Sequence, residues 1–107
     1  DIIHNAIEEI LEDNDYNYRT RLMLMSASQK EVLYAIARAQ KAMQITGAEF
    51  INRYQLHSAS SVQSAMRKLT ADGWIAESEN KEQRTYQLTD QFLALWIQKK
   101  YGMGYEF

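Results

Sequence analysis

A single glycine divides the most informative stretch of this chain. Before Gly73, Val62, Ala65, Met66 and Leu69 recur at i, i+3, i+4 and i+7, the spacing of one buried helix face. After it the period shortens: in Arg84-Thr85-Tyr86-Gln87-Leu88, Tyr86 and Leu88 share one side while Thr85 and Gln87 share the other, as a half-buried strand requires. Glycine just past a helix takes the left-handed backbone that closes it at no steric cost. The change of period at Gly73 therefore predicts a helix that feeds directly into two short strands, Trp74 to Ser78 and Arg84 to Leu88, joined by a polar turn from Glu79 to Gln83.

Capping signals mark the helices upstream. Ser58 can cap the helix that Gly73 ends, and Gln55-Leu56-His57 is a tight connection before it. Thr46 and Glu49 have capping-box spacing and open a short helix through Phe50, Ile51 and Tyr54. Ser26 with Gln29, or Ser28 with Glu31 one register later, starts a longer helix whose buried stripe is Val32, Leu33, Ile36, Ala37 and Met43. Alanines at 35, 37, 39 and 42 favour that helix intrinsically. Nearer the start, Ile3, Ile7, Ile10 and Leu11 place a helix over about residues 2 to 12. The polar run Glu12-Asp13-Asn14-Asp15 ends it, and Tyr18, Leu22 and Met25 restart a short helix or turn leading to Ser26. At the other end Asp90 caps a last helix with Phe92, Leu93, Trp96 and Ile97 as its apolar stripe.

The order helix, short helix, tight turn, helix, glycine, strand, polar turn, strand is the topology of a winged helix-turn-helix. The expected fold is thus mainly α with a small β-hairpin, a winged helix-turn-helix over residues 26–107 preceded by an N-terminal helical segment over residues 1–25. A chain of 107 residues with 46% hydrophobic and 24% charged side chains suits one domain with its own core. It opens on Asp1 with neither methionine nor leader, which fits an excised part of a longer protein.

Enzymatic readings fail on inventory. The four glycines stand at 47, 73, 102 and 104, so there is no Gly-x-x-x-x-Gly-Lys phosphate loop. The absence of cysteine excludes disulfide frameworks and thiolate zinc sites, and His4 and His57 have no metal-ligand spacing. Ser58, Ser60, Ser61 and Ser64 are caps and surface groups with no oriented base, while Glu8-Glu9 and Asp13-Asp15 suit a solvated acidic face. No catalytic residue, metal or cofactor is expected. The longest purely apolar run, Phe92 to Ile97, is far short of the roughly 20 residues of a membrane helix, so a soluble, cytoplasmic protein with no membrane partner is expected.

What remains is binding. At 100° per residue, the face of helix 58–72 opposite Val62, Met66 and Leu69 presents Ser60, Gln63, Ser64 and Arg67, with Lys68 at its flank. Arginine pairs bidentately with guanine and glutamine with adenine, while serine hydroxyls suit phosphate oxygens. These residues, with Arg84 on the wing, are the expected DNA-binding set. Net charge is −2, and acid concentrates at the start: residues 1–25 hold six acidic and two basic side chains. In the wing Lys81 and Arg84 mix with Glu77, Glu79 and Glu82, and residues 44–90 hold five basic against six acidic groups, so affinity for DNA should be weak.

Four stretches add a resemblance: Leu24-Met25-Ser26-Ala27-Ser28-Gln29; Ile36-Ala37; Ser58-Ala59-Ser60-Ser61-Val62-Gln63-Ser64-Ala65 with Leu69 and Gly73-Trp74-Ile75; and Tyr86 through Ile97. Together, over about residues 24 to 101, they look like the C-terminal region of archaeal-type AAA+ ATPases, also found in bacteria, in which a winged helix follows a P-loop ATPase core. The most particular element is an aspartate after the second wing strand followed by an aromatic-rich helix, here Asp90, Phe92 and Trp96. The resemblance implies that the nucleotide site lies in a preceding core and that residues 1–23 end its helical lid.

Two partner classes follow. DNA is favoured if Arg53, Arg67, Lys68 and Arg84 converge on an open face of helix 58–72. The alternative, docking on its own ATPase core or a second copy, is favoured if Met66 or Trp74 lies exposed in an apolar patch; Tyr101, Tyr105 and Phe107 could form core or a sticky edge for such contact.

Overall fold

The computed structural model describes residues 1–80 and 82–101; Lys81, Tyr105 and Phe107 lie outside the described residues. Five helices and three short strands follow in the order α1 (Ile2–Met23), α2 (Ala27–Ala39), β1 (Ala42–Met43), α3 (Ala48–Arg53), α4 (Ala59–Ala71), β2 (Ile75–Glu77), β3 (Thr85–Leu88) and α5 (Gln91–Tyr101). The architecture is mainly helical with a small antiparallel sheet of order β1-β3-β2. No helix among the described residues is long and apolar enough to cross a membrane.

The first two expected helical pieces are one. α1 runs unbroken through the polar stretch because no glycine or proline interrupts it and its polar side chains bond within the helix: Asn14 Nδ2 donates to the Ile10 carbonyl at 2.9 Å, and Asp15 pairs with Arg19 one turn on at 2.9 Å. Leu11, Tyr18 and Leu22 are its buried positions. Ile3, expected on the buried stripe, is 70% exposed, since the first turns of α1 project past the elements it packs on.

α2 begins as expected, with both bonds of the Ser26–Gln29 capping box formed at 3.2 and 2.9 Å. It ends at Ala39, so Met43 is not on its stripe but lies 46% exposed in β1. The cause is Gln40, whose φ of 69° and ψ of −63° make a γ-turn in which Lys41 N–H donates to the Ala39 carbonyl at 2.8 Å. The chain then reverses into β1, and Ala42 and Met43 pair with Tyr86 and Thr85. Ile75, Ala76 and Glu77 pair with Leu88, Gln87 and Tyr86 on the other edge of β3, so the expected hairpin carries a third strand.

The Thr46–Glu49 box does not form. Gly47 is the N-cap of α3 and supplies no side-chain acceptor, because a turn closed by Gly47 N–H on the Gln44 carbonyl leaves Thr46 ahead of the cap. Ser58 does cap α4, accepting from Ser61 N–H at 3.2 Å. α3 and α4 end alike. Leu56 N–H and Gln55 N–H reach the carbonyls of Ile51 and Asn52, as Trp74 N–H and Gly73 N–H reach those of Leu69 and Thr70. This closure needs a left-handed residue, which Gln55 supplies at φ 56° and Gly73 at φ 83°.

The core joins all five helices, with Val62, Ala65, Met66 and Leu69 of α4 buried beside Val32, Leu33 and Ile36 of α2 and Leu93, Trp96 and Ile97 of α5. Asp90 holds the start of α5: its Oδ1 accepts from Phe92 and Leu93 N–H at 3.0 and 3.1 Å, and its Oδ2 accepts from the Tyr18 hydroxyl at 3.2 Å. Burial, and then the Asp90 carboxylate beside it, push the Tyr18 phenol up to about 12, so it remains a donor. Trp96 packs edge-on against Tyr18 at 5.6 Å and donates to Asp15 at 2.9 Å. Phe92, expected in the stripe with Trp96, is 41% exposed. α5 is covered from two sides, by α1 and α2, which centres its buried arc on Leu93 and Ile97 and leaves residue 92 at the rim.

Candidate nucleic-acid interface

α4 is amphipathic for a simple reason: its four buried apolar residues fall on one side of a 13-residue helix and most of its polar ones on the other. With Val62, Ala65, Met66 and Leu69 committed to the core, Ser60, Gln63, Ser64, Arg67 and Lys68 all stand exposed. The serine cap and the Gly73 turn fix where this face begins and ends.

Two grooves flank it, and the expected residues divide between them. On the wing side Gln63, Arg67 and Arg84 line a groove with Met43, Thr70 and Tyr86, and two carboxylates, Glu77 and Glu82, share it. Arg84 Nη1 is held by Glu77 Oε1 at 2.9 Å across the wing. Ser78 ties that wing shut, donating to the Gln83 carbonyl at 3.3 Å and accepting from Thr85 N–H at 3.0 Å. The wing groove is therefore nearly neutral.

On the α2 side the balance differs. Ser64, Arg67 and Lys68 line a second groove with Ser26, Ser28, Gln29 and Ser61, and no carboxylate is among its lining residues. Neither Arg67 nor Lys68 has an ion-pair partner among the described residues. Arg67 borders both grooves. Ser60 sits apart, in the first turn of α4, where its hydroxyl lies 3.2 Å from that of Ser58.

The expected convergence of four cations is thus only partial: Arg67 meets Arg84 on one side and Lys68 on the other, while Arg53 lines a separate cleft. The residues that would have marked an apolar patch are covered. Met66 is buried, and Trp74 is half-buried with the Arg21 guanidinium 4.4 Å over its ring. Sequence periodicity placed the exposed face of α4 well but did not reveal the groove with α2, because Ser26, Ser28 and Gln29 are distant in sequence and carry no cationic signal of their own.

A family model described as a probable winged helix domain matches residues 16–99. No curated protein and no solved structure matches the chain.

Proposed function

The chain belongs to the probable winged helix domain family, and from that premise we propose that it is a non-catalytic DNA-binding module that lays α4 in the major groove of a duplex. The observation that carries this reading is the exposed face of α4, where Arg67 and Lys68 make no ion pair among the described residues and border a groove with no carboxylate among its described lining residues. In this reading Arg67 and Lys68 meet phosphates or guanine edges, and Gln63, Ser60 and Ser64 lie nearest the bases. Phosphates run along the groove between α4 and the start of α2, which Arg67 and Lys68 line with no carboxylate among its described residues. Arg84 contacts the backbone from the wing, weakened by its pairing with Glu77. The resemblance to AAA+ ATPases supports a parent protein in the cytoplasm whose ATPase core precedes residues 1–25, with residues 26–107 as the DNA-directed part.

A second reading rests on α1. Tyr16, Met23 and Leu24, at i, i+7 and i+8, are 81%, 77% and 88% exposed and form a stripe that suits docking on the module's own ATPase core. It coexists with the first, since α4 lies elsewhere.

Fluorescence anisotropy on a random-sequence duplex at 50 mM salt tests the DNA reading. Binding in the micromolar range is expected, with affinity falling about 0.9 log units per log unit of salt for each phosphate contacted. The double variant Arg67→Glu with Lys68→Glu should bind at least about tenfold more weakly. Equal binding by both proteins, or none by the wild type, means that α4 does not read DNA.

A further inference from the structure

The cations that the α4 face leaves out gather in a cleft of their own. Arg38 near the end of α2, Lys41 just before β1 and Arg53 at the end of α3 line one cleft of about 450 Å³ with Gln44, Gly47, Phe50 and Tyr54. Glu49 is the one carboxylate in its lining among the described residues. None of the three cations has an ion-pair partner among the described residues, although the chain as a whole is acidic at −2. Arg19, Lys99 and Lys100, by contrast, are each held by a carboxylate of α1.

Two features fix the arrangement. The Arg38 guanidinium lies 5.3 Å over the Tyr54 ring, and Tyr54 packs in turn on Phe50 at 4.8 Å, so one cation is held in place by aromatic contact. Lys41 follows the γ-turn at Gln40, a backbone conformation that costs energy and sets the direction in which the chain enters β1. Backbone strain of this kind clusters at functional sites.

We infer that the cleft bounded by Arg38, Lys41 and Arg53 is a binding site for a phosphate group. At about 450 Å³ the cleft has room for one or two phosphoryl groups beside Arg38, Lys41 and Arg53. It shares Met43 and Gln44 with the wing-side groove of α4, so a nucleic-acid backbone and a free phosphate ester are the two sources of that chemistry. The inference does not require that α4 reads DNA.

The test is a titration of the ¹⁵N-labelled full chain with sodium pyrophosphate at low salt. Saturable shifts are expected in the amides of Gln40 to Ala42 and Phe50 to Tyr54, and the double variant Lys41→Gln with Arg53→Gln should weaken binding at least fivefold while its spectrum remains that of a folded protein. Shifts that never saturate, or an unchanged affinity in the variant, overturn the proposal. A single-stranded oligothymidylate then separates the sources. If it binds the same amides and pyrophosphate displaces it, the ligand is a nucleic-acid backbone; if only pyrophosphate binds, it is a free phosphate ester. The Arg67→Glu, Lys68→Glu variant should still bind pyrophosphate as wild type does, so failure of the α4 reading and failure of this one give different results.

Discussion

Three donors converge on the carboxylate of Asp15: the indole N–H of Trp96 at 2.9 Å, Lys100 Nζ at 3.2 Å and Arg19 Nε at 2.9 Å. The Trp96 hydrogen bond, with Lys100 and Arg19 behind it, outweighs partial burial and holds its pKa below the usual carboxylate value of 3.8. A carboxylate depressed by folding adds stability above its unfolded pKa, and that stability is lost as pH falls through the lower folded value. Asp15→Asn keeps an oxygen for the indole but has no charge to titrate. Its urea midpoint should be lower than wild type at pH 7 and should fall less between pH 4 and pH 2, which urea melts across that range will read. Trp96 itself is 1% exposed and touches both Tyr18 and Asp15, so Trp96→Ala should cost about 3 to 5 kcal/mol. Phe92→Ala, at a rim position, should cost less than about 1 kcal/mol by the same measurement.

At the scale of elements, what could be read from sequence was what is decided locally. Ser26, Ser58 and Asp90 cap helices because each offers an oxygen to amides two or three residues on, and that geometry is written in spacing alone. Gly73 was legible for the same reason. β1 was not: two residues of strand are stable only because β3 lies beside them, and Ala42 and Met43 look like a continuation of α2 until Gln40 turns the chain. Among the candidate site residues, Gln63, Arg67 and Lys68 follow from helical period, whereas Arg38, Lys41 and Arg53 come from α2, the turn into β1 and α3 and meet only in the fold. The γ-turn offers a direct check. A non-glycine residue held at φ 69° stores about 1 to 3 kcal/mol, whereas glycine there loses only about 0.4 to 1 kcal/mol through the entropy of the unfolded chain. Gln40→Gly should therefore raise stability by about 1 kcal/mol, read as a higher urea midpoint with an unchanged slope.

Charge and core together make α1 part of the folded unit. Two of its carboxylates pair with α5, Glu8 with Lys99 and Asp15 with Lys100, while Arg38, Lys41, Arg53, Arg67 and Lys68, which make no ion pair among the described residues, lie on α2, α3, α4 and the turn into β1. The family model begins at residue 16, inside α1, which leaves open in sequence where the fold starts energetically. Leu11, Tyr18 and Leu22 are buried at 2%, 4% and 3% exposure, and at about 1.5 to 3 kcal/mol each their removal from water is together comparable to the whole stability of about 5 to 15 kcal/mol of a domain this size. Deleting residues 1–25 should leave Trp96 without its tyrosine and its carboxylate and abolish a cooperative thermal transition. Deleting only residues 1–7 removes the exposed Ile2 and Ile3 and spares Glu8, so its melting temperature should stay within a few degrees of the full chain. Near-UV circular dichroism of the two tryptophans follows both melts, and a sharp transition in the 26–107 fragment near that of the full chain would show α1 to be a strut on an already complete fold.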